Sequence, residues 1–484
     1  MTISSALSAA LSGLSASSRA AAVVSDNIAN ASTEGFGPRS LSLSSISHGS
    51  GRGVQVNGVT RASDPVLLGE RRAAGAGQGA ADTRAAFLKK IEALIGTPDS
   101  AASLSAKFDA FEASLVSAQS RPDSQSRLEA VLNSATDLAG TLNGVSDGIQ
   151  SIRRQADSAI ATSIDRLNQT LASIHDLNGT IRTAVSRGEA AHGLIDRQQA
   201  LIDSIAELVP IRETRNEAGM VGLYTTDGLS LLDGRPAQFG FTEAPAITPL
   251  MTLADGDLSG LTVNGRAVST TGAYATLGGG RLAGLFAVRD DIAPEAQARL
   301  DGVALDLTAR LDAPGLDPSR AVTDPGLFSD DGALASVNFE AGLSGRVQVN
   351  AAVDPDRGGA VWRLRDGLGA VAEGTPGDPT LLQGALDAVQ ADRPTLSAAY
   401  SGTSRTLSDL SADLLSLTSM DRQFADSEQA ESAGKYSALR EMELSHGVDT
   451  DAQMQRLLEI ENAYAANARV LSTLNDMIDR LLGI

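Results

Sequence analysis

The chain has 484 residues, 42% of them hydrophobic, which is enough to bury one or more cores, and its length corresponds to two to four domains. Aromatics make up only 3%, so the core must rest on Leu, Ile, Val and Ala, a composition that favours closely packed helices. A formal charge of -20 argues against nucleic acid or an anionic membrane as the main partner, and the absence of cysteine excludes disulfides, thiolate metal sites and thiol catalysis.

The first predicted element is a helix of Ala, Ser and Leu, ISSALSAALSGLSASSRAAAVV, along which Ile3, Leu7, Leu11, Leu14, Ala21, Val24 and Ile28 form one apolar stripe. The stripe is narrow, and a helix of this kind is marginal in isolation. Asn30, Ser32, Thr33 and Gly35 end it in a turn. No basic residue precedes its apolar part, so it does not read as a cleaved secretion signal. No window is expected to reach the roughly 20 predominantly apolar residues that span a bilayer. On these grounds alone the protein reads as cytoplasmic.

Short helices are expected over Arg84–Leu94 and Ala102–Val116. The strongest periodicity follows: Leu128, Val131, Ala135, Leu138, Leu142, Val145, Ile149, Ile152, Ala156 and Ala159 alternate spacings of three and four, and Ile164, Leu167, Leu171 and Ile174 continue after a one-residue slip. A helix of about 50 residues would be a rod on the order of 75 Å long. Gly140, Gly144 and Gly148 inside it either admit a close neighbour or introduce a kink. Leu194, Leu201, Ile205 and Leu208 mark its return partner, and Pro210 ends the helical signal.

Strand pairs are predicted around Asp227-Gly228 and Asn264-Gly265, both favoured two-residue hairpin turns. Helix returns in RLAGLFAVRDDIAPEAQARLDGVALDLTARL, in one or two pieces, since Pro294 is comfortable in a first turn and costly further in. From Asp312 to about residue 380 Gly, Pro and Asp accumulate, with strand candidates in GRVQVNAAV and AVWRLRDG. Leu407, Leu410, Leu414, Leu417 and Phe424 then restore an amphipathic helix.

A last helix begins after Gly447, capped by Asp449, Thr450 or Asp451. Leu457, Tyr464, Ala468, Leu471, Ile478 and Leu482 form its stripe, which Leu458, Leu474 and Leu481 widen. Each chain end therefore carries an apolar stripe in need of cover. Either the two close on one another within the chain, or they bury against neighbouring subunits, for which the small residues on several faces leave room. Composition does not choose between these.

The expected architecture is mainly α with inserted β elements: a long helical-bundle or coiled-coil trunk formed with both termini, plus a small β-rich outer domain. The boundaries read as 1–75 for the N-terminal helix and joint, 76–318 for the trunk with hairpins, 319–390 for the β-rich insertion, 391–434 for the return helix and 435–484 for the C-terminal helix. No catalytic, cofactor or metal residues emerge. His48, His175, His192 and His446 are scattered, and His175 and Asp176, being adjacent on a helix, do not face one another. ADGDLSG and DPDRGG lack a calcium loop's terminal Glu, GGGR lacks a phosphate loop's Lys-Ser/Thr, and the Ser-rich start has no Gly-x-Ser-x-Gly elbow.

The ends also carry a recognisable pattern. Asn27, Ile28, Ala29, Asn30, Thr33, Gly35 and Phe36, behind an Ala/Ser/Leu helix, resemble the N-terminal signature of bacterial flagellar axial proteins, with Glu34 where Pro is usual and Phe36-Gly37-Pro38 in place of Tyr-Ser-Arg. Ser445, Gly447, Val448, Glu461, Ala463, Tyr464, Asn467, Ala468, Leu471, Met477 and Leu481-Leu482 resemble the ending shared by hook-associated protein 1 and the hook and rod proteins. Gly279, Gly280, Leu282, Gly284, Leu285, Arg289 and Asp290, with GLFS and VQVNAAVDP, are similar to interior blocks of the hook-associated protein 1 family.

The resemblance implies a non-catalytic structural subunit at the hook-filament junction, secreted through the flagellar type III apparatus. It implies as partners copies of itself in a ring or helical lattice, hook protein on one side, hook-associated protein 3 on the other and an export chaperone, with no nucleic acid and no membrane insertion. The assembly candidates are Ile3, Leu7, Leu11, Leu14, Val24, Asn27, Ile28, Asn30, Gly35, Phe36, Leu457, Tyr464, Asn467, Ala468, Leu471, Leu474, Ile478 and Leu482. The rival within the same superfamily is a hook or distal-rod subunit, and the rival of another class is a soluble enzyme with a helical accessory domain.

Overall fold

The computed structural model describes residues 3–33, 36–46, 53–216, 219–270, 277–400 and 404–483. Helices dominate: α1 Ile3–Ala29, α2 Pro65–Ile95, α3 Leu104–Ser120, α4 Gln125–Ser186, α5 His192–Ala206, α6 Gly280–Ala287, α7 Ala293–Leu311, α8 Arg363–Asp366, α9 Thr380–Gln390, α10 Leu407–Ser445 and α11 Thr450–Leu482. Among the described residues the strands form five small antiparallel sheets. β1 Arg39–Ile46 pairs with β2 Gly53–Arg61; β3 Ile211–Arg215, β4 Val221–Thr225, β5 Ser230–Asp233 and β6 Arg235–Pro236 form a meander. β7 Phe239–Gly240, β8 Thr262–Val263 and β9 Arg266–Ala267 form a third sheet, β10 Phe328–Asp330 pairs with β11 Val347–Val349, and β12 Arg393–Pro394 pairs with β13 Ser404–Arg405.

Two compact units divide these elements. Unit 1 comprises residues 1–76, 166–237 and 432–484, and unit 2 comprises 77–165 and 238–431. Charge is unevenly shared. Unit 1 has 18 basic and 21 acidic residues, whereas unit 2 has 21 and 38, so nearly all of the net negative charge belongs to unit 2.

In α4 the expected rod is one helix of 62 residues, roughly 90 Å long. Its buried line runs Leu128, Val131, Ala135, Leu138, Leu142, Val145, Ile149, then Arg153, Ala156, Ile160, Ile164, Leu167, Leu171 and Ile174. Ile152 and Ala159, expected on that line, are only half-buried. A straight helix of 3.6 residues per turn drifts about 20° per heptad against a 3.5-residue repeat, so a long apolar line needs occasional extra steps of four. Here such steps bring in Arg153 and Ile160. Of the three glycines, Gly148 lies close against Leu94, while Gly140 and Gly144 meet open space.

Arg153, 1% exposed, holds unit 2 together through backbone acceptors. It donates to the carbonyls of Arg289 (2.9 Å), Thr248 (3.1 Å) and Met251 (2.9 Å) and to Gln150 Oε1 (3.2 Å). The expected two-piece helix is α6 and α7, joined by a π-helical turn, Val288–Ile292, with Pro294 in the first turn of α7. Within that turn Arg289 is fully buried and pairs with Asp157 and Asp290, each at 2.7 Å, beneath the rings of Phe241 and Phe286. Tight packing against α2 is enforced at Gly284, where a Cβ would stand 3.0 Å from the Ala80 carbonyl oxygen.

The predicted two-residue turn at Asn264-Gly265 is present, φ 51 and 77 joining β8 to β9 as a type I′ pair, whereas β4 and β5 are joined by a longer loop: the Thr225 amide donates to the Leu229 carbonyl, the Gly228 amide donates to the Thr225 carbonyl, and Gly228 alone has positive φ, +88. Among the three cap candidates before α11 Asp449 is the one used, accepting from the amides of Asp451 and Ala452.

Five elements differ from expectation. α2 begins at Pro65 and not near Arg84: Asp64 caps the amides of Val66 and Leu67, and Ala74, Ala80, Ala81 and Ala85 are buried where apolar periodicity is hidden by small size. AVWRLRDG is not a strand but holds the one-turn helix α8, closed by Gly367 at φ 107 donating to the Arg363 carbonyl, while α9 adds a helix before residue 390. Phe424 on α10 is 69% exposed, because Leu407, Leu410, Leu414, Thr418 and Ala425 occupy the buried line. α1 is also long and apolar enough, by length and composition, to cross a membrane, since its alanines count as apolar; it is the one such helix among the described residues.

Candidate assembly site

The predicted end helices meet in unit 1. α1 packs on α11, and two contacts set an antiparallel register: Gly13 sits against Asn467, and Asn27 donates to Gln453 Oε1 (3.2 Å). A Cβ at Gly13 would stand 2.8 Å from the Asn467 side-chain Nδ2, so any larger residue there would make that side chain shift. The hairpin β1–β2 covers another side of α1, with the Val54 amide donating to Ser12 Oγ (3.2 Å) and Gly53 fitting against the same serine. A two-stranded hairpin is marginal alone, and the helix supplies its second layer.

The end of α1 is built from its own polar residues. Asn30 closes the last turn by donating to the Asp26 carbonyl (2.9 Å), and its backbone carbonyl accepts from the Thr33 amide (2.9 Å). Phe36 lies under the Arg39 guanidinium, 4.8 Å from the ring centre. Arg39 also pairs with Asp26 of α1 and, at 2.7 Å, with Asp196 of α5, which Arg61 of β2 engages at the same distance. Deeper in unit 1, Arg72 is 2% exposed and reaches Asp203 (2.6 Å), Glu213 (2.8 Å) and Gln199 (2.7 Å). Burial works to raise the Glu213 carboxyl, but the charges of Arg72 and Arg215 bring it below its ordinary value.

The structure places the candidate residues in two groups. Val24 and Asn27 are buried and Ile28 and Asn30 half-buried near the joint, and Leu457, Asn467, Ala468, Leu471, Ile478 and the buried Leu474 follow the covered line of α11. The remaining apolar residues are less covered: Ile3 is at the edge of exposure, Leu7 and Leu14 are half-buried, Leu11 is 50% exposed and Tyr464 44%. The inner face of α1 is formed by Ala10, Ala16, Val24 and Asn27, not by its leucines. Met454, Leu458, Val470 and Met477 add exposed apolar area on α11. Gly35 and the Leu482 side chain lie outside the described residues.

Between α1, the hairpin and α11 opens a cleft of about 340 Å³ walled by Ala16, Ala20, Val24, Leu41, Leu43 and Ile460. Arg39, Gln453, Arg456, Glu459 and Asn467 also line it, so the cleft mixes small apolar residues with polar and charged ones. Among the described residues no group of His, Asp and Glu could hold a metal ion. Residue-by-residue reasoning missed Asp26, Arg39, Arg61, Asp196 and Gln453; the available signal was an Asp-Asn pair in the last turn of an otherwise apolar helix.

Comparison with known proteins gives three segmental matches. A profile described as the flagellar hook-associated protein FlgK helical domain matches residues 88–314, one for flagella basal body rod protein matches 7–36, and one for the flagellar basal body rod FlgEFG protein C-terminal region matches 444–484. Flagellar hook-associated protein 1 of Salmonella typhimurium is 27% identical over 244 residues, covering 49% of this chain and 44% of that protein. The Bacillus subtilis protein of the same name is 25% identical over 250 residues, covering 48% and 49%. The matched region thus spans about half the length of these relatives. A solved structure, the flagellar hook junction protein FlgK from Burkholderia pseudomallei, aligns with a TM-score of 0.45 at 17% identity, over 54% of this chain and 46% of that one. With the helical-domain match set between two axial-type ends, and hook-associated protein 1 recurring among the relatives, the chain is similar to the flagellar hook-associated protein 1 (FlgK) family in its helical domain and to flagellar axial proteins at both ends.

Proposed function

We propose that this protein is a subunit of the hook-filament junction, secreted through the flagellar type III route and assembled through α1 and α11 with copies of itself, hook protein and hook-associated protein 3. The observation that carries this reading is the order of the matched segments: a FlgK-type helical domain at 88–314 enclosed by axial ends at 7–36 and 444–484. The exposed Leu11, Leu458 and Met477 on the two end helices support it, since apolar side chains left in water gain about 25 cal/mol per Å² when a neighbour covers them. The near-neutral charge of unit 1 supports it as well, because close packing of copies through this unit meets little like-charge repulsion.

A hook or distal-rod subunit is the second reading, favoured by the rod-protein profiles at the two ends. Deleting the gene separates the two. A junction subunit leaves hooks intact, removes attached filaments and releases filament protein into the medium. Loss of the hooks themselves, with neighbouring genes expressed normally, would establish the rival.

A further inference from the structure

In unit 2 Phe339 is 72% exposed and Val337 54%, and Leu250 and Leu334 are exposed as well. These four residues gather around Arg346, which also fixes the backbone that carries them. Its guanidinium pairs with Asp330 (2.6 Å) and donates to the carbonyls of Phe339 and Ala341, each at 2.9 Å. Asp330 in turn exchanges backbone hydrogen bonds with Ala333, the residue before Leu334. A Cβ at Gly342 would meet both Arg346 Nη1 (2.9 Å) and Pro249 (3.1 Å), the residue before Leu250. From the core side Asp301 of α7, 1% exposed, accepts from the amides of Gly342 (2.7 Å) and Ser344 (2.9 Å) and from Ser344 Oγ (2.6 Å). Ser336 caps the short turn Val337–Phe339 through the Asn338 amide (3.3 Å). The segment 336–346 is therefore tied down at both ends while its tip holds apolar side chains in water. Side chains ordered in advance lose little conformational entropy when a partner covers them. The surroundings are acidic: Asp331 and Glu340 adjoin the apolar group in the chain, Asp255 and Asp257 follow Leu250, and unit 2 has 21 basic against 38 acidic residues.

We propose that the segment 336–346, with Leu250 and Leu334, is a docking knob for a protein other than this chain, one whose facing surface is an apolar groove rimmed by Lys or Arg. A second copy meeting it through unit 2 brings the same acidic excess and is repelled, whereas a basic rim is attracted. Arg346 does not offset this, because Asp330 neutralises it. The four apolar residues leave on the order of 400 Å² uncovered, about the apolar share of the roughly 800 Å² that each partner gives to a stable interface. Phe339 is the anchor, since aromatic side chains seated in a desolvated pocket carry most of the strength of such contacts. The proposal rests on the reading of the chain as an assembled flagellar subunit, and goes beyond it by giving a foreign partner its own surface in unit 2.

The test places the photoreactive residue p-benzoylphenylalanine at position 339 of the full chain in cells, with position 371 as control, since Val371 is also exposed in unit 2 and lies outside the segment. Flagella are purified and illuminated, and the adducts are identified by mass spectrometry. Position 339 should give an adduct with a different protein, at a peptide where apolar residues are flanked by Lys or Arg, and position 371 about a tenth of that yield or less. An adduct with a second copy of this chain, an adduct at an acidic peptide, no adduct, or equal yields at the two positions overturns the surface. Two changes made beside the probe test its parts, each with the circular dichroism of the purified chain as the check on folding. Arg346→Gln, at a half-buried position, should lower the yield about fivefold by freeing the segment. Glu340→Lys should lower it about tenfold by reversing a rim charge. An unchanged yield in the first overturns the role of preordering, and in the second the basic character of the partner. If the probe-bearing chain is present in flagella and no foreign adduct forms, the docking surface fails while the assembly reading stands; absence of the wild-type chain from purified flagella removes both.

Discussion

Replacing Arg153 by methionine tests the most consequential feature of unit 2, a buried cation sitting where the apolar repeat of α4 calls for a hydrocarbon. Four donations end at once, and three of the acceptors are backbone carbonyls: that of Arg289 is buried, while those of Thr248 and Met251 lie in a more exposed segment. An orphaned buried acceptor costs about 1–3 kcal/mol. Against this stands the desolvation of the guanidinium, which burial works to discharge and which Asp290 and Asp157 support across an opposing Arg289. The net expected loss is about 2–4 kcal/mol, while Ile152→Ala, at a half-buried position, costs about 1 kcal/mol or less. A strict reading of the repeat expects the reverse order. Trp362, the only tryptophan in the chain, lies in unit 2, so its fluorescence through a urea titration reports this unit alone. Arg153→Lys should fall between the two, since a point charge cannot fork to three carbonyls. Arg153→Met within about 1 kcal/mol of wild type, or Ile152→Ala as the costlier change, refutes the assignment.

Leu11→Asp should leave the thermal stability of the isolated chain within about 0.5 kcal/mol of wild type while lowering incorporation into flagella, whereas Leu474→Asp should loosen α1 from α11 in the isolated chain by about 2–4 kcal/mol. Equal incorporation of Leu11→Asp and wild type would show that the leucine row of α1 is not a docking edge. The Glu213 carboxyl has a folded value below its unfolded one, so its stabilisation is present above about pH 4.3 and is lost as the pH falls through the folded value. Glu213→Gln should accordingly flatten the acid limb of a unit 1 stability profile, and an unchanged limb would place the acid sensitivity elsewhere. Gly284→Ala should destabilise unit 2 by about 1–3 kcal/mol by forcing α6 away from the backbone of α2, an overpacking effect that outweighs the gain of roughly 1 kcal/mol in helix propensity; a stabilised variant in the same fluorescence titration would contradict the contact.

The helices whose apolar residues recur regularly were legible in the sequence, as were the ends marked by residues with special backbone chemistry. α1, α4, α10 and α11 have such a period, and Asn264-Gly265 and Pro294 act through their own φ angles, so each carries its structure locally. The N-terminal half of α2 was not legible because Ala and Gly dominate it, and burial of alanine leaves little contrast in hydrophobicity. Phe424 misled for the opposite reason: its size marks it as core, yet a helix with Thr418 and Ala425 on its covered face has no space for a ring there. At the candidate site the stripes were readable, while the polar joint of Asn27, Arg39, Asp196 and Gln453 was not, since its members are separated by up to 426 residues.

Local order was thus determined by the sequence alone for the strongly periodic helices and the Asn264-Gly265 turn, together with the amphipathic character of both ends and the absence of thiol chemistry. Which polar residues go inside was decided only by tertiary structure. Arg153 and Asn27 are buried because unpaired backbone groups of distant segments, 248–251 and Arg39, arrive beside them, and the free energy of satisfying those groups exceeds the cost of taking a guanidinium or an amide out of water. A residue's own neighbours in the chain hold no record of that encounter, because the carbonyl that needs a donor acquires its position only when the whole unit folds.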